Sequence, residues 1–349
     1  MQTLLRQVDA AVPEKDMETM QEAARVIQRG GLVAFPTETV YGLGADALNP
    51  EAVAKIYAAK GRPSDNPLIA HVARAEDADK LAANVSADAR RLMDAFWPGP
   101  LTLILPKRSI VPDITSGGLA TVAVRCPSHP AARLLIELAG TPVAAPSANA
   151  SGRPSPTRAS HVVFDLDGKI DMILDGGAAQ VGLESTIADV SGGTVRILRP
   201  GSVTKEMLEA ALGHAVLAAG ETVADNEAPM APGMKYKHYA PTAKVVIVSG
   251  ETGRVVAEIN RLAAQAAAGE RIGILATEQT KNLYPKGQVL VMGDRDKPET
   301  IGANLFKMLR KCDFLEMTTV YTESFGETAH GQAVMNRLRK AAGHHVIEV

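Results

Sequence analysis

One proline-rich and glycine-rich segment limits what this 349-residue chain can fold into. Residues 228–242, APMAPGMKYKHYAPT, contain Pro229, Pro232, Gly233 and Pro241. Proline lacks the N–H that a helix interior or a central strand needs, so no regular element spans this segment. A chain of this length is expected to form about two domains. We therefore predict a larger N-terminal domain, a linker and a smaller C-terminal domain, at residues 1–212, 213–242 and 243–349.

The N-terminal part alternates short apolar runs with amphipathic helical patterns. Residues 17–29 predict a helix that ends at a Gly-Gly pair, and Asn49-Pro50 predicts the start of another that stops at Gly61. Two more helices are predicted, one from Ser86 to Trp97 and one at residues 129–139. Turns separate some of the apolar runs and helices separate others, which predicts a mixed sheet with flanking helices. The strands are predicted at residues 32–35, 68–72, 101–105, 121–125, 142–145, 170–174, 185–190 and 194–198.

The C-terminal part has a cleaner β-α-β-α order. Helices predicted at 254–268, 298–314 and 329–341 separate the apolar runs. Because a helix between successive strands gives right-handed parallel connections, this order predicts a small parallel α/β sheet. Its strands are predicted at residues 244–248, 271–275, 288–292 and 318–322.

Composition argues against several classes of function. Lys and Arg total 37 and Asp and Glu 39, so the net charge of −2 gives no broad basic field for a nucleic-acid backbone. Aromatic residues are 4% of the chain, which disfavours base stacking. Two distant cysteines, Cys126 and Cys312, fit a reducing cytoplasm, and no apolar run reaches the roughly 18 residues of a membrane span.

The densest polar pattern lies in residues 36–72. Thr37, Glu38 and Thr39 directly follow a predicted strand, and ligands of α/β sheets gather at strand ends. Gly42 and Gly44 would let the backbone approach a ligand closely. A polar turn between two elements explains the same residues.

Two cations and one histidine follow in the same region. Lys60 and Arg62 flank Gly61, and the prolines after them would hold both cations in place for a polyphosphate. Complementation of the helix dipole is the simpler explanation. His71 stands in a strand without a metal-ligand neighbour, so a structural hydrogen bond is favoured over a zinc site.

Further candidates lie at later strand ends. Residues 145–157, APSANASGRPSPT, offer hydroxyls, amides and backbone N–H groups suited to an anion, and a surface loop would have the same composition. Arg125 ends an apolar strand and needs a carboxylate partner, internal or from a ligand. Ser185 and Arg199 add a hydroxyl and a cation. The set favours positioning and charge neutralisation, as in nucleotidyl or phosphoryl transfer.

Together, these motifs resemble a known family. PTETVYGLG, KGRPSDNPL, FWPGPLT, VAVRCP and APSANASGRPSPT are similar to the YrdC-like domain, and PGMKYKHYAPT followed by an α/β domain is similar to two-domain threonylcarbamoyl-AMP synthases. The resemblance implies a twisted mixed sheet with a concave, positive cleft, and then a Rossmann-like domain. It also implies a linker that folds over the active site.

The resemblance also implies an activity. An enzyme of this family joins L-threonine, bicarbonate or CO₂, and ATP into threonylcarbamoyl-AMP and pyrophosphate. Mg²⁺ is expected to accompany ATP, held mainly by phosphate oxygens, with no dedicated protein ligands. A separate transferase complex is expected to use the product on the tRNA adenosine next to the anticodon. We therefore expect a cytoplasmic nucleotidyltransferase with little direct tRNA binding and no membrane association.

Site residues follow from the matched motifs. His71 is a candidate for the base that deprotonates the substrate amine. The resemblance assigns Lys60 and Arg62 to charge neutralisation on the phosphates. It assigns L-threonine to Thr39, His71, Arg125, Ala145 and Ser185. It assigns ATP to Arg62, Asn66, Thr121, Ser147, Asn149, Ser155, Arg199, Tyr236 and Tyr239.

The residues also bear on two alternative functions, of which they exclude the first. A hydrogenase-maturation enzyme also carries a YrdC-like domain, but it would need the cysteine pairs of zinc fingers, which this chain lacks. An RNA-binding or ribosome-associated module would use the positive cleft, and the charge balance and few aromatics argue against it as the main role.

Overall fold

The computed structural model describes residues 2–218, 239–326 and 329–349. These residues divide into two compact units. The N-terminal unit comprises residues 2–151, 156–180 and 184–218. The C-terminal unit comprises residues 239–326 and 329–349 together with two short segments from earlier in the chain, 152–155 and 181–183. Most of the predicted linker lies outside the described residues.

Both units contain helices and strands. The helices are α1 Met17–Gln28, α2 Pro50–Lys60, α3 Ala87–Phe96, α4 Asp113–Ser116, α5 Pro130–Ala139, α6 Ala159–Leu166, α7 Lys205–Leu212, α8 Thr252–Ala264, α9 Pro298–Phe314 and α10 Ala329–Ala341. The strands are β1 Leu4–Gln7, β2 Val33–Phe35, β3 Gly42–Asp46, β4 Ile69–His71, β5 Leu101–Pro106, β6 Thr121–Arg125, β7 Val143–Ala144, β8 Met172–Asp175, β9 Thr186–Asp189, β10 Arg196–Arg199, β11 Lys244–Ser249, β12 Ile272–Thr277, β13 Gln288–Gly293, β14 Thr319–Glu323 and β15 Val346–Glu348.

A ten-stranded mixed sheet forms the N-terminal unit, in the order β1-β8-β2-β3-β7-β4-β6-β5-β9-β10. Alternate residues of its strands enter separate apolar clusters, because successive side chains of a strand point to opposite faces. In β2, Ala34 packs in one cluster while Val33 and Phe35 pack in the other. Burial on both faces explains why these strands are continuous apolar runs rather than alternating ones.

At the centre of this sheet, β4 and β6 run parallel, which sets the geometry of the candidate site. Ile69 pairs with Ala123 and His71 with Arg125. Strand β7 runs antiparallel to β4, with Val143 opposite His71. On the other side of β6, β5 is antiparallel to it and β9 is parallel to β5.

Helix α2 shows how local sequence places two of the candidate residues. Asn49 caps its N-terminus by accepting hydrogen bonds from the N–H groups of Glu51 and Ala52. Gly61 ends the helix in the left-handed conformation, at φ 61°. The chain therefore turns sharply between Lys60, the last helical residue, and Arg62.

The C-terminal unit is built on a separate, entirely parallel sheet of five strands, ordered β13-β12-β14-β11-β15. Its apolar core joins Val248 of β11, Val255 and Ile259 of α8, and Ile274 of β12. This architecture confirms the predicted parallel α/β sheet. None of the helices within the described ranges is long and apolar enough to cross a bilayer.

The predicted helices and strands listed above all occur, within a few residues of the predicted bounds. The pattern missed six elements: β1, β3, α4, α6, α7 and β15. Strand β3 is the informative case, because its sequence, GLGAD, carries two glycines and was interpreted as a ligand loop. A Cβ on Gly44 would lie 2.8 Å from side-chain atoms of both Phe35 and Val143, so the missing side chain there serves close packing inside the sheet.

Candidate functional site

The loop after β2 is buried and rigidly bonded, unlike a solvent-exposed polar turn. The Thr37 hydroxyl donates to the carbonyl oxygen of Val40 at 2.6 Å and lies 2.9 Å from the hydroxyl of Thr39. Thr37, Glu38 and Thr39 are all buried. These hydrogen bonds fix the direction of the Thr39 side chain.

Arg125, at the carboxyl end of β6, is held from three sides. Its Nη1 donates to the Thr39 hydroxyl at 2.9 Å, and its Nε donates to the carbonyl oxygen of Gly99 at 3.2 Å. Its Nη2 lies 2.7 Å from Oε1 of Glu38. Burial by itself would raise the pKa of Glu38, but the charge of Arg125, together with hydrogen bonding from Arg125 and from backbone N–H groups, lowers it below its usual range, so the carboxylate is ionised at neutral pH. The partner that the sequence required for Arg125 is therefore present within the chain.

His71 lies beside Arg125 and is fully enclosed. Its Nδ1 lies 3.2 Å from the carbonyl oxygen of Ile69, and its ring meets that of Phe35 edge to face at 6.2 Å. Burial, together with the positive charge of Arg125, lowers the pKa of His71 to about 3. The imidazole is thus neutral at physiological pH and a weak proton acceptor, which argues against its candidacy as the base.

Ser185 and Arg199 form a second group near the start of β9. The Ser185 hydroxyl lies 2.7 Å from that of Thr102. Arg199 donates from Nε to the carbonyl oxygen of Ser185 at 3.1 Å and from Nη2 to its hydroxyl at 3.2 Å. Thr186 pairs with Leu101, the first residue of β5, so Ser185 lies just beyond that pair. Because β5 is antiparallel to β6, this end of β5 neighbours the carboxyl end of β6. Arg199, predicted to contact ATP, is therefore bonded to a residue predicted to contact threonine.

Arg62, Asn66 and Thr121 lie at the opposite end of the same central strands. Nη2 of Arg62 donates to the carbonyl oxygens of Asn66 and Pro67, at 3.4 and 3.2 Å. Because β4 and β6 are parallel, the segment before β4 and the first residue of β6, Thr121, share one end of the sheet. Thr121 and Arg125 are four positions apart, or about 13 Å at a strand rise of about 3.3 Å per residue. The side-chain oxygen of Asn66 is buried and accepts no hydrogen bond from the part of the chain that the structure describes.

Lys60 binds the loop that carries Ser147 and Asn149. Its ammonium donates to the main-chain carbonyl oxygens of both residues, and its side chain is buried. The Ser147 hydroxyl donates to the side-chain oxygen of Asn149 at 2.5 Å. Asp165 accepts from the N–H of Ala150 at 3.2 Å. Because β7 is antiparallel to β4, this loop extends past Ala145 toward the end of the sheet where Arg62 lies.

Two further predicted residues belong to the C-terminal unit, and a third lies outside the described residues. Ser155 and Tyr239 belong to the C-terminal unit, where Tyr239 is buried and packs on Phe306 with the ring centres 5.1 Å apart. Tyr236 lies outside the described residues, together with residues 219–235, 237 and 238.

In the sequence, Glu38 stands out only as part of a polar loop, and no role is predicted for it. Thr102 and Asp165 were not named at all. A threonine inside an apolar strand and an aspartate inside a helix have no distinctive spacing, so only their partners in space, Ser185 and Ala150, give them importance. Within the described ranges, no cluster of three or more His, Cys, Asp and Glu residues could hold a metal ion.

Comparisons with known proteins agree on a family over almost the entire chain. Residues 25–201 match the family model described as "Telomere recombination", and residues 203–343 match that of the threonylcarbamoyl-AMP synthase C-terminal domain. Threonylcarbamoyl-AMP synthase of Bacillus subtilis is 47% identical over 328 residues, which cover 93% of each chain. That of Pyrococcus abyssi is 46% identical over 94% of this chain and 95% of its own. The crystal structure of P. abyssi Sua5 complexed with L-threonine superimposes with a TM-score of 0.92 at 45% identity, over 99% of this chain and 100% of that one.

Proposed function

The chain belongs to the threonylcarbamoyl-AMP synthase family, and from that premise we propose that it joins L-threonine, bicarbonate or CO₂, and ATP into threonylcarbamoyl-AMP, releasing pyrophosphate. One observation carries the proposal. Two groups of buried or half-buried polar residues lie at opposite ends of the parallel pair β4 and β6, around Arg125 at one end and around Arg62 at the other. A separation of about 13 Å suits an amino acid and a nucleotide that meet between them.

The carboxyl end of β6 would receive L-threonine. Arg125 has a guanidinium fork that suits a carboxylate, and its orientation is fixed by Thr39 and Gly99. His71 and Ser185, on the neighbouring strand ends, are further predicted contacts. Ala145, whose N–H bonds Ile69 at the start of β4, would contact threonine through its backbone. The neutral imidazole of His71 offers a hydrogen bond without adding charge.

The other end would receive ATP, with Mg²⁺ entering as part of the substrate on its phosphate oxygens. Arg62 supplies a cation and Asn66 an unsatisfied amide oxygen. Lys60 adds positive charge beside the loop while its hydrogen bonds hold that loop in shape. Thr121, Ser147 and Asn149 are further proposed nucleotide contacts at this end. Arg199, which bonds Ser185 near the carboxyl end of β6, is also proposed to contact the nucleotide, as are Ser155, Tyr236 and Tyr239.

The proposed reaction has two chemical steps. The threonine amine first attacks CO₂ and loses a proton, giving a carbamate. A carbamate oxygen then attacks the α-phosphorus of ATP, and pyrophosphate leaves with its electron pair. Arg62 and Lys60 would offset the negative charge that builds on the leaving group. The buried walls around Arg125 and His71 would limit access of water to the labile carbamate.

The wider context of this activity is part of the proposal. The product would pass to a separate transferase complex that modifies the tRNA adenosine next to the anticodon, in the cytoplasm. The chain itself needs little contact with tRNA, which agrees with its net charge of −2 and its few aromatic residues.

Exchange of labelled pyrophosphate into ATP tests the proposed function. We expect exchange only when L-threonine and bicarbonate are both present, because the α-phosphorus has no acceptor until the carbamate forms. D-threonine serves as the matched control, with the same functional groups in the wrong arrangement. Exchange that proceeds equally well without threonine would contradict the proposal.

A further inference from the structure

Three buried polar atoms meet at the carboxyl end of β6 without a well-aligned hydrogen bond. They are Oε1 and Oε2 of Glu38 and Nη2 of Arg125, and none makes a hydrogen bond of good geometry to the described residues, although the N–H of Ser128 also approaches the Glu38 carboxylate. Nη2 and Oε1 lie 2.7 Å apart as an ion pair. Both side chains are less than a tenth exposed. Buried charged groups are normally satisfied by several hydrogen bonds, so this pair is incomplete as it stands.

The rest of Arg125 has the hydrogen bonds expected of a structural residue. Nε and Nη1 donate to Gly99 and Thr39, which fixes the guanidinium plane. Nη2 and the two carboxylate oxygens of Glu38 are the neighbouring atoms left without a well-aligned hydrogen bond. A group that completes them must offer an acceptor to Nη2 and a donor to Glu38, on atoms close to each other.

A free α-amino acid has that combination, because its carboxylate and its amino group are attached to the same carbon atom. The ion pair is neutral overall, and so is the zwitterion, so binding buries no net charge. The two histidines near Glu38 do not supply the missing donor cation. Burial lowers the pKa values of His71 and His129, which keeps both rings neutral at physiological pH.

We propose that Glu38 positions the substrate by accepting hydrogen bonds from its α-amino group, while Arg125 binds its carboxylate. This inference rests on the proposed function and names the residue that makes the site specific for α-amino acids over other carboxylic acids. A carboxylate can accept a hydrogen bond from an ammonium, from a neutral amine or from the N–H of a carbamate, most strongly from the ammonium. The contact therefore persists while the nitrogen loses its proton and gains the carboxyl group.

Binding of two matched ligands to three proteins tests the role of Glu38. The ligands are L-threonine and 3-hydroxybutanoate of the same configuration at the hydroxyl carbon, which is threonine without its amino group. The proteins are the wild type, Glu38→Gln and the control Asp46→Asn. Asp46 is a half-buried carboxylate that bonds Leu48 and Thr141, outside the proposed site.

We expect Glu38→Gln to weaken threonine binding about 10- to 100-fold, the range of one charge-assisted hydrogen bond. Binding of 3-hydroxybutanoate should change less than about twofold, because that ligand has no group for Glu38. Asp46→Asn should leave both affinities unchanged. A merely structural Glu38 would weaken both ligands equally, and that result would overturn the proposal, as would unchanged threonine binding in Glu38→Gln.

Failure of the proposed function has a different signature. In that case, the wild type itself would not bind threonine in preference to 3-hydroxybutanoate. If Glu38→Gln does not fold, Glu38→Asp keeps the charge beside Arg125 and withdraws the carboxylate by one methylene. It should show the same selective loss for threonine, and equal losses for both ligands would again overturn the inference.

Discussion

At the scale of single residues, the two arginines of the site differ in what surrounds them. Arg125 is buried between Thr39, Gly99 and Glu38, whereas Arg62 is half-buried and donates to main-chain carbonyls of the following loop. Substitution by lysine keeps the charge, and so leaves Glu38 with a cation, but removes the planar fork. We expect Arg125→Lys to raise KM for threonine about tenfold or more, with KM for ATP nearly unchanged.

Arg62→Lys is the reciprocal variant and should mainly raise KM for ATP. Steady-state pyrophosphate release, with each substrate varied in turn, measures both effects. Equal losses for the two substrates in both variants would show that the site is not divided along β4 and β6 as proposed.

His71 gives a prediction for the pH dependence of stability. Burial and the charge of Arg125 lower its pKa to about 3 in the folded protein, whereas an unfolded histidine titrates near pH 6.5. As the pH falls below about 6.5, the unfolded chain takes up a proton that the folded protein does not. This one residue should therefore lower the free energy of unfolding by about 1.2 kcal/mol between pH 6 and pH 5. Urea unfolding at several pH values should show that contribution disappear in His71→Gln.

His214 serves as the control with the opposite sign. Its ring bonds the carbonyl oxygen of Ala215 and the carboxylate of Asp88, which raises its pKa. The folded protein therefore holds this proton better, and its contribution to stability is present at low pH and lost as the pH rises. His214→Gln should make the loss of stability on acidification slightly steeper. If His71→Gln leaves the pH dependence of the unfolding free energy unchanged, the imidazole of His71 gains a proton in the folded state as it does in the unfolded state.

At the scale of elements, Gly61 determines where α2 ends and hence where Lys60 and Arg62 point. Its φ is 61°, and among the described residues no atom other than those of its immediate chain neighbours lies within 4 Å of the position that a Cβ would occupy. Any cost of a side chain there comes from the left-handed backbone alone. We expect Gly61→Ala to lower the free energy of unfolding by about 1–2 kcal/mol. Gly61→Asn should cost less, because asparagine tolerates this conformation.

Gly192 is the matched control for this prediction. Among the described residues there is likewise open space around the position that its Cβ would occupy, but its φ is not left-handed. Gly192→Ala should therefore leave stability nearly unchanged in the same denaturant titrations. Equal effects at the two glycines would mean that backbone strain is not what Gly61 relieves.

The elements also show what the sequence could and could not predict. Helix α2 has its cap, its N-terminal proline and its terminal glycine in the sequence itself, so both of its ends were predicted within a residue. Strand β3 was missed because its glycines have weak strand propensity and are explained only by Phe35 and Val143 packing against them. In the same way, the position of Arg125 at a strand end predicts a carboxylate partner, but Glu38 lies 87 positions earlier in the chain and no local pattern links the two residues. Contacts of this kind depend on the strand order.

At the scale of the whole molecule, the two units have separate sheets and separate apolar cores. The residues proposed to bind threonine all belong to the N-terminal unit. The single tryptophan, Trp97, is in that unit too, buried and donating from Nε1 to the carbonyl oxygen of Leu101 at 2.7 Å. Its fluorescence therefore follows unfolding of the unit that contains the proposed threonine site, whereas circular dichroism follows both units.

Ligand binding should accordingly stabilise the transition that tryptophan reports. A ligand present at 100 times its Kd stabilises the folded state by about 2.7 kcal/mol. For a unit of this size, such a gain raises Tm by about 5–10 °C, since 1 kcal/mol corresponds to about 2–4 °C. We expect this shift in the Trp97 melting curve with L-threonine at saturation, and none with D-threonine at the same concentration. If circular dichroism shows two transitions, only the one that coincides with the Trp97 curve should move. A shift confined to the other transition would place the threonine site outside the N-terminal unit and would contradict the assignment of Arg125 and Glu38 to it.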